Sequence, residues 1–230
     1  MAKRALKKLD RRELPSYTVG EAGHYLAVPP ATIRYWATGQ DSYAPLIEVS
    51  DGRPTLLSFL NLVELHVLAA IRRKHTVPMP KVRAAIEYLK KSTRSPSDKK
   101  HPLISKQLET DGLDLFIQHY GELVNISRDG QIAMRDVMSA ALHRIERDDN
   151  GIPIKLYPFT RSEIQHAPTM IVIDPKLSAG RPVIAGTGLA TEVIAERYKA
   201  GDSIEELALD YERKKEEIEE AVRSELQAAA

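Results

Sequence analysis

The sequence predicts a mostly α-helical protein with small β elements: an N-terminal winged helix-turn-helix, a middle α+β unit, and a C-terminal hairpin leading into a trihelical, helix-turn-helix-like domain. Three observations carry this. Apolar residues recur at helical spacing in several segments, short apolar runs stand between glycine and proline turns, and charge divides the chain. Residues 1–100 hold 18 Lys+Arg and 9 Asp+Glu, whereas residues 101–230 hold 15 and 23. A basic front half invites a polyanion and an acidic rear half repels one.

The elements follow in order. Residues 1–16 read as a basic arm in which Lys3, Arg4, Lys7, Lys8, Arg11 and Arg12 recur at near-helical spacing; it is either a solvated tail or a nucleic-acid arm. Thr18 with Glu21 three residues on forms a capping box, and Val19, Ala22 and Leu26 then share a face. Val28-Pro29 breaks that helix, and Pro30 opens a second one with Ile33 and Trp36 inward and Thr32, Arg34 and Tyr35 outward. Two short helices joined by a tight turn are the helix-turn-helix plan. Residues 44–57 read as a hairpin, with Ile47 and Val49 alternating, Asp51-Gly52 as the turn and Arg53 at the tip of this wing. Residues 58–75 form an apolar helix closing on Arg72, Arg73, Lys74 and His75, cations suited to the negative end of a helix dipole. Another amphipathic helix follows Pro78. The polar run near residues 92–102 marks a boundary.

For residues 103–167 the expectation is an α+β linker or dimerisation unit: two short strands around Tyr120-Gly121, a helix bearing Met134, Val137, Ala141 and Ile145, and a strand in "IPIKLYPF". Residues 168–230 supply the strands "MIVIDP" and "RPVIAG" and three helices, the first ending at Gly201 and the second opening on a Ser203–Glu206 capping box.

Enzyme chemistry finds little support. "GRPVIAGTG" puts five residues rather than four between Gly180 and Gly186, with no lysine following, so it is not a phosphate-binding Walker loop. The dinucleotide fingerprint fails at Thr191, and helices rather than a βαβ unit come next. These glycines read as turns. The seven histidines show no metal-ligand spacing, and there is no cysteine, which excludes disulfides and fits a reducing cytoplasm. No catalysis, cofactor or metal is expected. No apolar run is long enough to span a bilayer, so no membrane partner is expected either.

"YTVGEAGHYLAVPPATIRYWAT", the "DG-R" turn and the next two helices resemble the winged helix-turn-helix of the MerR family, over about residues 17–91. "IDPKLSAGRPVIAGTGLATEVIAERYKAGDSIEELALDY" resembles the bacterial family catalogued as domain of unknown function 433, whose members are similar to VapB-type antitoxins encoded beside PIN-like ribonuclease toxins. Gly188 stands where that family commonly has a basic or polar residue. The helix ending near Lys91 is also short for MerR-style coiled-coil dimerisation.

The resemblance implies an antitoxin of a type II module, a cytoplasmic protein that represses its operon by binding operator DNA. Thr32, Arg34 and Tyr35 would reach the major groove, Arg53 the backbone, and Arg72, Arg73, Lys7 and Lys8 further phosphates. Inverted-repeat operators imply a homodimer. The acidic stretch "ERKKEEIEEAVRSEL", with Glu212, Glu216, Glu219 and Glu220, is either a solvated face or the docking surface for a basic PIN-like ribonuclease toxin, and the resemblance favours the second. The alternative is a stand-alone MerR-like regulator whose rear half senses a small molecule or oligomerises.

Overall fold

The computed structural model describes residues 10–40, 43–74, 78–93, 95–124, 127–164 and 167–226. Most of the described chain is helical, with two small antiparallel sheets.

The front of the chain opens with β1 (Tyr17–Thr18) and α1 (Val19–Leu26). Thr18 and Glu21 make the expected capping box, each satisfying a backbone N–H that the first helical turn leaves unpaired. The turn after α1 is tight: Ala27 takes a left-handed conformation at φ 51°, and Val28 donates its N–H back to the Gly23 carbonyl at 2.9 Å. A β-carbon on Gly23 would lie 2.7 Å from the Val28 oxygen, so the turn demands glycine there. α2 (Pro30–Thr38) begins at once, with a proline in the first turn, where a missing N–H costs nothing.

The hairpin read into residues 44–57 does not form. β2 (Leu56–Leu57) pairs antiparallel with β1, Tyr17 opposite Leu57 and Thr18 opposite Leu56. The reason lies at Leu46 and Ile47. Both side chains are buried, whereas a wing strand with one face in water would expose one of two successive residues. The backbone there is engaged elsewhere: Leu46 donates to the Trp36 carbonyl at 2.8 Å, and the Glu48 carbonyl accepts from Asn61 at 2.7 Å.

α3 (Phe59–Lys74) runs through the core, with every residue from Phe59 to Ile71 buried. Ser58 and Asn61 cap its start reciprocally. α4 (Met79–Ser92) and the short α5 (Pro96–Lys100) follow. The polar run near 92–102 folds back onto α3, where the His101 ring meets the buried Glu64 carboxyl at 2.9 Å.

The two strands expected around Tyr120-Gly121 are instead one helix, α6 (Leu113–Val124). Leu113, Phe116, Ile117 and Tyr120 are buried at spacings of three and four, the period of a helix rather than a strand. Gly121 sits inside α6 because a β-carbon there would lie 2.7 Å from the Gln131 amide nitrogen. Gln131 belongs to α7 (Arg128–Leu142), which packs on both α3 and α6; it is the expected helix, but Ile145, read onto it, lies beyond its end in a strand.

β3 (Ile145–Arg147), β4 (Pro153–Leu156), β5 (Ile171–Ile173) and β6 (Pro182–Ile184) form one antiparallel sheet in sequence order. Leu156 opposite Ile173 joins β4 to β5, so this sheet draws strands from both sides of residue 167. α8 (Thr191–Ala200), α9 (Ile204–Asp210) and α10 (Lys215–Leu226) close the chain, with Gly201 ending α8 and the Ser203–Glu206 box opening α9 as expected.

Side chains from Tyr17 through Ile173 share one core that α3 threads. Ile171, Ile184, Ile194, Leu207, Ile218 and Val222 make a second core under the last three helices. Each such aliphatic side chain stabilises the fold by about 1.5–3 kcal/mol before entropy is charged against it. Among the described residues no helix is long and apolar enough to cross a membrane.

Candidate nucleic-acid interface

α2 divides cleanly by face. Ile33, Trp36 and Ala37 are fully buried, while Ala31, Arg34 and Thr38 are exposed and Thr32 and Tyr35 are half-buried. At about 100° per residue, Ala31 and Thr38 mark the outermost line of the helix. Arg34 stands on one flank of that line, and Tyr35 and then Thr32 on the other. The Arg34 guanidinium has no hydrogen bond or ion pair among the described residues, so its five donors are available to a ligand.

The remaining candidate cations separate sharply. Arg53 is exposed in the loop before β2 and, like Arg34, is unpaired among the described residues. Arg72 ends α3 beside α2. Its Nη1 stands 3.5 Å from the Thr32 hydroxyl and its guanidinium 6.0 Å from the Trp36 ring, so Arg72 and Thr32 meet as one polar edge. Arg73 is committed to the fold. Its Nη2 donates to the Leu26 carbonyl at the end of α1 (2.8 Å), its guanidinium stacks on Phe159 at 5.7 Å, and burial lowers its pKa. Arg73 is therefore a strut under the turn between α1 and α2 rather than the phosphate contact expected of it.

Lys7 and Lys8 lie outside the described residues. The described end of the arm is tied down: Arg12 bridges Asp10 and Asp148, both at 2.6 Å, and these partners raise its pKa against the opposing effect of burial. Asp148, 136 residues further along the chain, is thus the anchor of the arm. Sequence reasoning also passed over Arg83 on α4, which reaches across to α2 and lies 5.9 Å from the Tyr35 ring. Its position on the flank of the buried Val82–Ala85–Ile86–Leu89 stripe was the available signal, but nothing local says which helix it faces.

The rear of the chain grips α1. His24 donates to the Glu225 carboxylate at 2.7 Å, and the Thr191 hydroxyl donates to the same carboxylate. Burial pushes the Glu225 carboxyl up, but the hydrogen bonds from His24 and Thr191 outweigh it and leave the group below its ordinary range; the bond to Glu225 raises the His24 imidazole. Gly180 (φ 81°) and Gly186 (φ 77°) adopt the positive-φ turns expected of that loop. Gly180 also lets the Tyr17 phenol of β1 press directly on its backbone, where any side chain would collide.

Of the four tail acids, Glu212, Glu216 and Glu219 are exposed and hold no ion pair among the described residues. Glu220 is different, at 1% exposure. It accepts from the Thr160 hydroxyl and from Arg161 at 2.6 Å, with Arg223 at 3.6 Å. It pins α10 to the 160–161 segment and cannot belong to an open docking face. The acidic rim expected of this helix therefore shrinks to three carboxylates. Their neighbours Glu205, Asp210 and Glu217 are neutralised by Lys215, Arg197 and Arg213. Among the described residues no three histidine or acidic side chains gather to hold a metal ion.

Comparison with known proteins follows this division. Residues 15–86 match the family described as "Putative DNA-binding HTH domain", and residues 171–223 match the family described as "Protein of unknown function (DUF433)". The chain carries an HTH-type DNA-binding domain and a DUF433 domain. Two relatives from Mycobacterium tuberculosis (strain ATCC 25618 / H37Rv) align along nearly the whole chain. "Putative antitoxin VapB45" is 29% identical over 227 residues, 87% of this chain and 90% of its own length. "Uncharacterized protein Rv2308" is 26% identical over 219 residues, 90% of this chain and 88% of its own length. The crystal structure of Rv2018 from the same species superposes with a TM-score of 0.71 at 26% identity, covering 93% of this chain and all of that one. The HTH domain thus comprises β1 through most of α4. The DUF433 domain runs from β5 into α10, and its Thr191 and Glu225, the latter just past the matched residues, hold the HTH domain through His24.

Proposed function

We propose that this chain is the antitoxin of a type II module. In this reading the HTH domain binds operator DNA and represses its own operon, as a homodimer on an inverted repeat, and the DUF433 domain binds and neutralises a PIN-like ribonuclease in the cytoplasm. It catalyses no reaction and uses no cofactor. The observation that carries the reading is the exposed, unpaired Arg34 on the outer face of α2, within a domain matched to DNA-binding HTH proteins. The alignment of nearly the whole chain with a relative named as an antitoxin supports the second half.

An α2 of nine residues fits the major groove, with Arg34 reaching a guanine edge or a phosphate and Arg53 and Arg72 meeting the backbone to either side. At the rear, Glu212, Glu216 and Glu219 offer unpaired negative charge to the cationic rim that any RNA-cleaving partner carries.

Two measurements test this. Fluorescence anisotropy with the duplex upstream of the gene should show binding that weakens steeply with salt. RNA cleavage by the ribonuclease encoded alongside should stop on addition of this protein. Salt-independent, sequence-indifferent binding, or undiminished cleavage, would overturn the corresponding half.

A further inference from the structure

Arg83 is held in an unusual state. Its Nε donates to the Ala44 carbonyl at 2.9 Å, which aims the guanidinium between two phenol rings, 5.9 Å from Tyr35 on α2 and 5.3 Å from Tyr43. Both Nη1 and Nη2 are out of water and have no acceptor. Among the described residues it is the one arginine with both terminal nitrogens orphaned; Arg73 and Arg147 each leave a single one. A desolvated charged donor without an acceptor costs more free energy than stacking on phenols returns. No carboxylate of the described residues pairs with it.

The cover over this cation is movable. The Tyr43 backbone is fixed by reciprocal hydrogen bonds with Gln40, at 3.1 and 2.8 Å, and by a turn at Gly39 (φ 73°) whose missing side chain makes room for the Tyr43 carbonyl. Tyr43 as a residue is 48% exposed, and exposed side chains change rotamer within nanoseconds.

Resting on the reading that α2 faces DNA, we propose that Arg83 is a phosphate seat beside α2. A backbone phosphate of the duplex displaces the Tyr43 ring and accepts from Nη1 and Nη2 together, the fork geometry arginine favours. Arg83 lies on the Tyr35 side of α2 and Arg34 on the opposite flank, so the duplex is held from both edges of the helix.

The test uses the full chain and a random-sequence duplex of about 30 base pairs, with affinity measured across a salt series. Arg83→Met is expected to weaken binding about tenfold at ~100 mM salt and to lower the log–log salt slope by about one. Arg83→Lys keeps the charge and should keep the slope. An unchanged slope in Arg83→Met overturns the proposal and leaves the DNA reading standing. Equal loss in both variants, accompanied by a fall in Tm, makes Arg83 a structural strut and overturns it too. A parent chain that binds no duplex at low salt removes the DNA reading itself, and the seat with it.

Discussion

Two arginines on neighbouring elements should behave oppositely when truncated. The Arg34 side chain is exposed and makes no hydrogen bond or ion pair among the described residues, so Arg34→Ala removes nothing that the folded state uses. Its effect on unfolding free energy should stay within about 0.5 kcal/mol. A bidentate arginine contact to guanine is worth about 1–3 kcal/mol, so affinity for the upstream duplex should fall roughly 5- to 150-fold. Arg73→Ala is the mirror image. It leaves the Leu26 carbonyl without its donor and strips the guanidinium from Phe159, at a cost of about 1–3 kcal/mol in stability. For a chain of this size that is a Tm drop of about 2–4 °C per kcal/mol. At temperatures where the variant is fully folded, its duplex affinity should fall less than that of Arg34→Ala. The paired assay is fluorescence anisotropy beside thermal unfolding. Parent-like duplex binding by Arg34→Ala would refute the assignment of α2 as the reading helix. A parent-like Tm for Arg73→Ala would refute its role as a strut.

Three further outcomes are expected. The His24–Glu225 contact ties the HTH domain to the DUF433 domain in a bounded pH window. The raised His24 contributes fully below its usual 6.5 and is lost as pH rises through its folded value; the lowered Glu225 contributes above its usual 4.5 and is lost as pH falls. A double-mutant cycle by urea unfolding should therefore give its largest coupling between those values, about 0.5–2 kcal/mol, and less at pH 8.5; a pH-independent coupling would contradict the linkage. Gly23→Ala should lower Tm, because relieving the 2.7 Å approach to the Val28 oxygen costs about 1–3 kcal/mol and outweighs the ~0.5–1 kcal/mol gain of alanine in a helix. Glu220→Ala should destabilise by about 1–3 kcal/mol, Arg161 being partly solvated, while Glu219→Ala stays near zero; equal effects would mean that Glu220 is not the buried anchor seen here.

The helix-turn-helix was readable because its signals are local: the Thr18–Glu21 box, Pro30 in a first turn, and Ile33 and Trp36 three apart. The capping box at Ser203 and the stop at Gly201 were legible for the same reason. Where the reading failed, the deciding partner was distant in sequence. Gly121 looked like a strand turn, and only Gln131 on the next helix explains a glycine inside α6. Asp51-Gly52 looked like a hairpin turn, but Tyr17 had already taken the edge of Leu57. The site suffered likewise. Arg34 was chosen correctly as outward-facing, because helical period alone decides that. Arg73 and Glu220 looked like surface charges until Phe159, Thr160 and Arg161, far along the chain or in another element, were seen to claim them.

The proposed duplex site lies in the HTH domain, away from the last three helices. Hydrogen–deuterium exchange with and without the upstream duplex tests this most directly. Protection concentrated in residues 30–38 and around Arg53, with α8 to α10 unchanged, is the expected pattern. Protection confined to α8 to α10, with residues 30–38 exchanging as in the unbound chain, would contradict it.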